Sequence, residues 1–475
     1  MENPYADVDR RIVSEVYTSS ETLDNLKVLC DVYGSRFPGT PGDLAAVKYM
    51  VDKLKSYGIE NARYESFTLP GWRRGPAKLT ALGSSGRELE CISLPHSIAG
   101  RVEGKLVWLN DGPIESYEKR RNEIDGNIVM VSSANPIGMD RPLHRSEKFL
   151  RSVLAGAKGW IFMNQYPGYG PQTGGVSPII PSVGVSYEDG MFLVRALERE
   201  DEVSLRIETT DRNMEVTTYN VIADIQGTSD SRQHVVVGSH YDGHDISQGA
   251  EDPASGTVVV MEIARNLQAV KDRMKRHVRC ICFGAEEIGL YGSHNYVIMH
   301  KNEMDDVRFM LNLDSGGNKG KKGVILHNFP ELETFIAKAA SEMKAELPTF
   351  QRVSPYSDHW PFFLKSVPSG YGGDPEMIRT STGRGFGHSK FDTVDKVELE
   401  QLRLASANYT RLLFRIANAE DWRPRRKSED EIQEFIKKQG YDQTVQLADK
   451  VKEYVRTWKQ IHPETKEWLN RRSEW

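Results

Sequence analysis

Acids and histidines in the second half of this chain stand where apolar runs end. His240 closes HVVVGSH, Glu286 and Glu287 follow VRCICFGA, and Asp314 follows FMLNL. Asp252 lies in the loop GAEDPASG and His388 in the glycine-rich GRGFGHSKFDT. Any one of them has an ordinary explanation as a helix cap or a surface side chain, but five at independent strand ends and loops call for another. Two histidines with three carboxylates make a mixed nitrogen and oxygen donor set that suits Zn²⁺, with Mn²⁺ or Co²⁺ as substitutes. Adjacent glutamates point to different sides, so one can bind metal while the other faces a substrate water as general base. A metal lowers the pKa of its water from about 15.7 to about 7, and two ions about 3.5–4 Å apart clamp one nucleophile. The chemistry this pattern proposes is metal-assisted hydrolysis.

Such residues need a scaffold that brings distant strand ends together. After residue 215 the short apolar runs YNVIADIQG, HVVVGSH, HVRCICFGAEE, RFMLNLDSGG and GVILHN alternate with the helical stretches SGTVVVMEIARNLQAV, LYGSHNYVIMHKN and PELETFIAKAASEM. That alternation predicts an α/β fold with a mixed, mostly parallel central sheet covered by helices on both faces. Ligands bind such sheets outside the carboxyl ends of the strands, where these acids and imidazoles fall.

The expected order is residues 1–74 as N-terminal helices of the same domain and 75–213 as an inserted β-rich unit. Residues 214–418 follow as the metal-bearing domain, and 419–475 as a helical C-terminal extension. The inserted unit shows short strands punctuated by Gly and Pro, such as GKLVWLN and GNIVMVSS. In the extension, Leu447, Val451, Tyr454, Trp458 and Ile461 trace one helical face, suited to docking on the body or to a homodimer.

The blocks SHYDGHDISQGAEDPASG, FGAEEIGLYGS, NLDSGG, SDHWPFF and GHSKFDTVDKV make the chain, over about 218–415, resemble the co-catalytic di-zinc exopeptidases of the aminopeptidase S and carboxypeptidase Q type. The inserted unit, with its closing PSVGVSYEDG, is similar to a protease-associated domain, and SFTLPGWRRG is similar to the carboxypeptidase Q branch. Carried over residue by residue, the resemblance implies one zinc on His240 and Asp314 and another on Glu287 and His388. Asp252 would bridge them, Glu286 would be the general base, and Asp242 would orient the His240 imidazole. His244, His294 and His359 are not ligands in this pattern and are read as satisfied polar residues.

Two positions depart from the pattern. Pro253 follows the bridging acid where relatives place Asn or Asp after a cis peptide, a geometry an X–Pro bond tolerates. Gly387 precedes the last ligand where many relatives carry an aromatic residue or histidine that helps stabilise the tetrahedral intermediate, which leaves Tyr356, Tyr371 and Arg384 as substrate-binding candidates for the oxyanion partner.

The resemblance implies a zinc-dependent exopeptidase acting on peptides, in the first place an aminopeptidase, with Glu286 or Asp358 receiving the substrate α-amine. A carboxypeptidase Q-like carboxypeptidase or dipeptidase is the alternative, with Arg379 or Arg384 for the terminal carboxylate. A non-catalytic binding or receptor-like protein on the same scaffold is a third reading, though such proteins typically lose ligands. Glutaminyl cyclase chemistry generally uses one zinc.

Composition excludes other classes. Across 475 residues, 62 Lys+Arg against 67 Asp+Glu leave a net charge of −5, so no basic field exists to track nucleic-acid phosphates. No apolar run approaches the roughly 18 residues of a membrane span. Glu2, Asp7 and Asp9 occupy positions where a leader would be apolar, so the chain reads as cytoplasmic. Four cysteines cannot make a disulfide scaffold, and Cys280 and Cys282 read as reduced core residues.

Overall fold

Strands that are apolar on both faces require cover on both, and the architecture supplies it. The computed structural model describes residues 2–83, 86–139, 141–200, 202–380 and 385–471, the side chains of 378–380 excepted. The chain divides into two units. The first comprises the chain up to Leu69 with Thr217–Gly387 and Phe391–Ile432, and the second Pro70–Val216, His388–Lys390 and the chain from Gln433 onward.

The sheet of the first unit runs in the order Arg63–Arg73, Arg212–Ile225, His277–Phe283, His234–His240, Val307–Asn312, Ser369–Gly373, Gly323–Leu326, Thr349–Gln351. His234–His240 lies at its centre, buried at every residue, and is parallel to both neighbours. Ser369–Gly373 continues the parallel set, while Arg212–Ile225 pairs antiparallel with His277–Phe283, and Gly323–Leu326 pairs antiparallel with Ser369–Gly373 but parallel with Thr349–Gln351.

Alternation along the strands divides the core in two. Val236, Ile281, Phe283 and Met310 pack with Tyr296, Val297 and Phe362 from the helices Tyr291–Met299 and His359–Leu364. The opposite face carries the helix Ser255–Ala269, itself packed against Ala6–Thr18 and Leu399–Asn418. Arg415 on the last of these donates to both carboxylate oxygens of Asp9 at 2.9 Å and to Glu342 at 3.1 Å, all of them buried. Burial at that position suits the bidentate arginine fork. The helix Pro41–Ser56 starts with Thr40 accepting the Asp43 N–H and Pro41 in the first turn.

In the second unit another sheet runs Arg87–Leu89, Ala77–Ala81, Ser204–Thr209, Gly100–Trp108, Ile128–Ser132, Gly159–Met163, Ser182–Val185, Cys91–Ser93. Val129, Val131, Trp160 and Phe162 face one core, and Ile128, Met130, Ile161 and Met163 face another. Leu447, Val451 and Val455 of the helix Asp442–Arg456 are buried in the first of these cores, with Tyr454, Trp458 and Ile461 packed against it. The apolar face of the tail is therefore occupied within the chain itself. Beneath it, buried Glu147 accepts from Arg141 at 2.8 Å and Arg151 at 2.7 Å, and the Lys148 ammonium donates to the carbonyls of Ser132 and Ala134.

None of the four cysteines is bridged; Cys30, Cys280 and Cys282 are buried and Cys91 partly so. Among the described residues no helix is long and apolar enough to cross a membrane.

Candidate metal centre

Because three neighbouring strands are parallel, their carboxyl ends emerge on one side and bring His240, the Glu286–Glu287 pair and Asp314 together. His240 Nε2 lies 2.7 Å from Asp314 Oδ1 and 3.4 Å from Asp252 Oδ1. The three residues offer ligand atoms within 4.8 Å of one another. Beside them, His244 Nε2 is 2.9 Å from Glu287 Oε2, with both side chains almost fully enclosed.

The surrounding backbone holds these groups in place. His240 Nδ1–H donates to the carbonyl of Asp242 at 3.0 Å, leaving Nε2 toward the acids, and the Asp242 carboxylate stands at 3.7 Å. That carboxylate instead accepts the N–H groups of Glu286 at 3.0 Å and Glu287 at 3.3 Å, so it orients the glutamate pair directly. The turn before that pair needs Ala285 at a φ of +60°, unusual for a residue with a Cβ.

Asp252 is held through its main chain. Asp392 Oδ1 accepts the N–H groups of Ala250 at 3.1 Å and Glu251 at 2.7 Å, and Oδ2 that of Asp252 at 3.2 Å. The Asp252–Pro253 peptide is cis. Gly256 permits the following helix to start against the strand end, since a Cβ there would stand 1.8 Å from the Leu313 carbonyl oxygen. Buried Arg36 clamps the intervening loop, donating to the carbonyls of Tyr241 at 2.7 Å, Gln248 at 2.5 Å and Gly249 at 2.9 Å.

The electrostatics of the cluster call for a cation. Burial pushes Glu286 well above the usual carboxylate range, with Asp314, Glu287 and Asp358 adding to the effect against the pull of His240. Burial alone would lower His240, but Glu286, Asp242, Asp252 and Asp314 override it and hold the imidazole well above its ordinary value. Asp358, fully buried, is pushed up to about 7 by desolvation, against His240 and the Ser293 hydroxyl. Without added positive charge Glu286 and Asp358 are held toward their protonated forms, and divalent cations on this nitrogen and oxygen donor set would relieve the same crowding.

His388 divides with the second unit, where it is buried at a left-handed φ of +64°. Its carbonyl accepts the Thr173 N–H at 2.9 Å and its ring Nδ1 lies 3.3 Å from the Thr173 carbonyl oxygen. Its neighbour Gly387 belongs to the first unit, and a Cβ there would lie 2.9 Å from Asp252 Oδ2. The space an aromatic residue would need at 387 is taken by the acid.

Tyr371, half-buried, stacks on His359 at 5.2 Å, and His359 Nε2–H donates to the Ser354 carbonyl at 2.9 Å. Burial lowers both His359 and His294 to about 4. Tyr356 is half-buried two residues before Asp358. Arg384 lies outside the described residues, and Arg379 falls in the helix Pro375–Thr380. Sequence reasoning missed Asp392 and Arg36, and gave His244 no role beside Glu287. The signal for His244 was its place four residues after His240; a carboxylate and a guanidinium that bind only backbone leave none.

Residues 220–413 match the model of peptidase family M28 and residues 102–193 that of the PA domain. The chain is similar to carboxypeptidase Q from Bos taurus, 26% identical over 66% of this chain and 69% of the relative. It is also similar to aminopeptidase YwaD from Bacillus subtilis, 26% identical over 85% of this chain and 86% of the relative. Its fold resembles that of a peptidase M28 precursor from Shewanella amazonensis, with a TM-score of 0.76 at 23% identity, covering 89% of this chain and 99% of that one.

Proposed function

We propose, for a chain whose residues 220–413 match the model of peptidase family M28 and whose residues 102–193 match that of the PA domain, that it is a zinc-dependent exopeptidase, in the first place an aminopeptidase. The observation that carries the reading is the convergence of His240, Asp252 and Asp314 beside the Glu286–Glu287 pair. In this reading His240 and Asp314 would hold one Zn²⁺ and Glu287 and His388 a second, with Asp252 contributing to both. When bound, the zinc supplies Lewis acidity that polarises the scissile carbonyl and acidifies water.

The chain's own groups do the rest. Glu286, half-buried and not assigned to a metal, takes the proton of the attacking water on its carboxylate and returns it to the leaving amine. Asp242 fixes the glutamate backbone through the two N–H groups it accepts, so this carboxylate needs no reorganisation during the reaction. Asp392 does the same for Asp252. Asp358, buried and acidic, is the proposed partner of the substrate α-amine, with Tyr356 and Tyr371 lining the approach.

A carboxypeptidase or dipeptidase reading is favoured by the carboxypeptidase Q relatives, as similar in identity as the aminopeptidase. The longer match, over 85% of this chain, supports aminopeptidase. Metal analysis with three peptides tests both: one blocked at its N-terminus, one blocked at its C-terminus and one free dipeptide. About two ions per chain, with cleavage that requires the free amine, is the expected result. Cleavage that requires the free carboxylate would replace aminopeptidase by carboxypeptidase, and no metal with no cleavage would overturn the enzyme reading.

A further inference from the structure

We infer that His244 is an additional metal ligand, joining Glu287 on the second zinc. This rests on the reading of the centre as a zinc site, and goes beyond the five ligands that reading names.

His244 is 2% exposed, and its Nε2 stands 2.9 Å from Glu287 Oε2. Two donors that share a tetrahedral ion at about 2.0–2.2 Å are roughly 3.4 Å apart, so adjustment by about half an ångström admits the metal between them. Neither residue is free to drift. Gly243, next to His244, donates its N–H to the Ser35 carbonyl at 2.8 Å, and Arg36 grips the same loop through Gln248 and Gly249. The Glu287 N–H is held by Asp242 at 3.3 Å. A loop anchored on both sides of a buried imidazole that faces a buried carboxylate is built to present a donor. The chemical consequence is a centre with three imidazoles and three carboxylates, in which the Glu287 ion carries one more neutral nitrogen at unchanged ligand charge.

The test uses Co²⁺ added to metal-free full-length protein. Competition with a chelator gives the number of ions and their affinities, visible absorption reports coordination, and paramagnetically shifted exchangeable proton resonances count the coordinated imidazoles. The wild-type protein is expected to take up two ions and show three such resonances, for His240, His244 and His388. His244→Ala is expected to weaken one of the two ions at least roughly tenfold, the loss already seen for partners that only support a ligand, and to alter the absorption. Two resonances in wild type, or affinities and absorption unchanged in His244→Ala, would overturn the inference while leaving the zinc reading intact. A wild-type chain that binds no Co²⁺ would overturn both. The resonance count needs no variant, so it decides the matter even where His244→Ala does not fold.

Discussion

Asp392→Ala should loosen the loop that carries Asp252, by an amount the geometry bounds. The carboxylate accepts three consecutive backbone N–H groups at 3.1, 2.7 and 3.2 Å. The N–H of buried Ala250 would be left without a partner at a cost of about 1–3 kcal/mol, while those of half-buried Glu251 and Asp252 would recover water and lose about 0.5–1.5 kcal/mol each. Against this, burial and the nearby acids push Asp392 itself up to about 7, so its charge is already costly and part of the loss is offset. The net is about 2–3 kcal/mol, a roughly 30- to 140-fold easier opening.

Hydrogen exchange over residues 249–256 in the metal-free protein at pH 8, where Asp392 is ionised, reads it directly. Asp392→Asn separates the contributions. Its oxygen can still serve Ala250 and Glu251, but its NH₂ would oppose the Asp252 N–H donor to donor. Loss of protection should then be confined to Asp252 and the adjoining residues. Unchanged exchange in the Ala variant, or identical exchange in both variants, would refute the claim that this carboxylate organises the loop.

Glu286→Gln should lower turnover by at least about 100-fold while two metal ions remain bound, since it removes a proton carrier and not a proposed ligand; metal content and peptide hydrolysis measured together check this. Glu147→Gln should destabilise the second unit by about 3 kcal/mol, because Arg141 and Arg151 lose the buried charge they share; urea unfolding against the wild type would show it. Lys148 gives a pH dependence. Burial lowers its ammonium to about 8 from 10.5, so above pH 8 the folded chain releases this proton before the unfolded chain does. Stability should rise with pH between about 8 and 10.5, by up to about 3 kcal/mol. That rise should vanish in Lys148→Met, followed by the difference in unfolding midpoint across the window.

The metal-bearing strand ends were legible because an apolar run that stops at a charged residue is informative by itself: His240, Glu286, Glu287 and Asp314 all end buried strands of one parallel set. The helical face Leu447–Val451–Tyr454 was equally readable, but not what it meets, because its partners Phe149 and Trp160 lie some three hundred residues away along the chain. Asp392 and Arg36 could not be found this way. Each acts on backbone groups, which every residue possesses, so no pairing of side-chain types betrays it. The empty side-chain position at Gly387 was visible, but its reason was not: the Asp252 carboxylate fills the space.

The four unbridged cysteines make the protein its own stopwatch. Burial raises the thiols of Cys30 to about 11 and of Cys91 and Cys282 to about 12, and that of Cys280 well above its ordinary value, so almost no reactive thiolate exists near neutral pH. Cys280 and Cys282 sit in a central strand of the first unit and Cys91 in a strand of the second. Timed alkylation read residue by residue would therefore clock the breathing of each unit separately in the unmodified chain. A chelator should quicken the clock at Cys280 and Cys282 and leave the one at Cys91 keeping its own time.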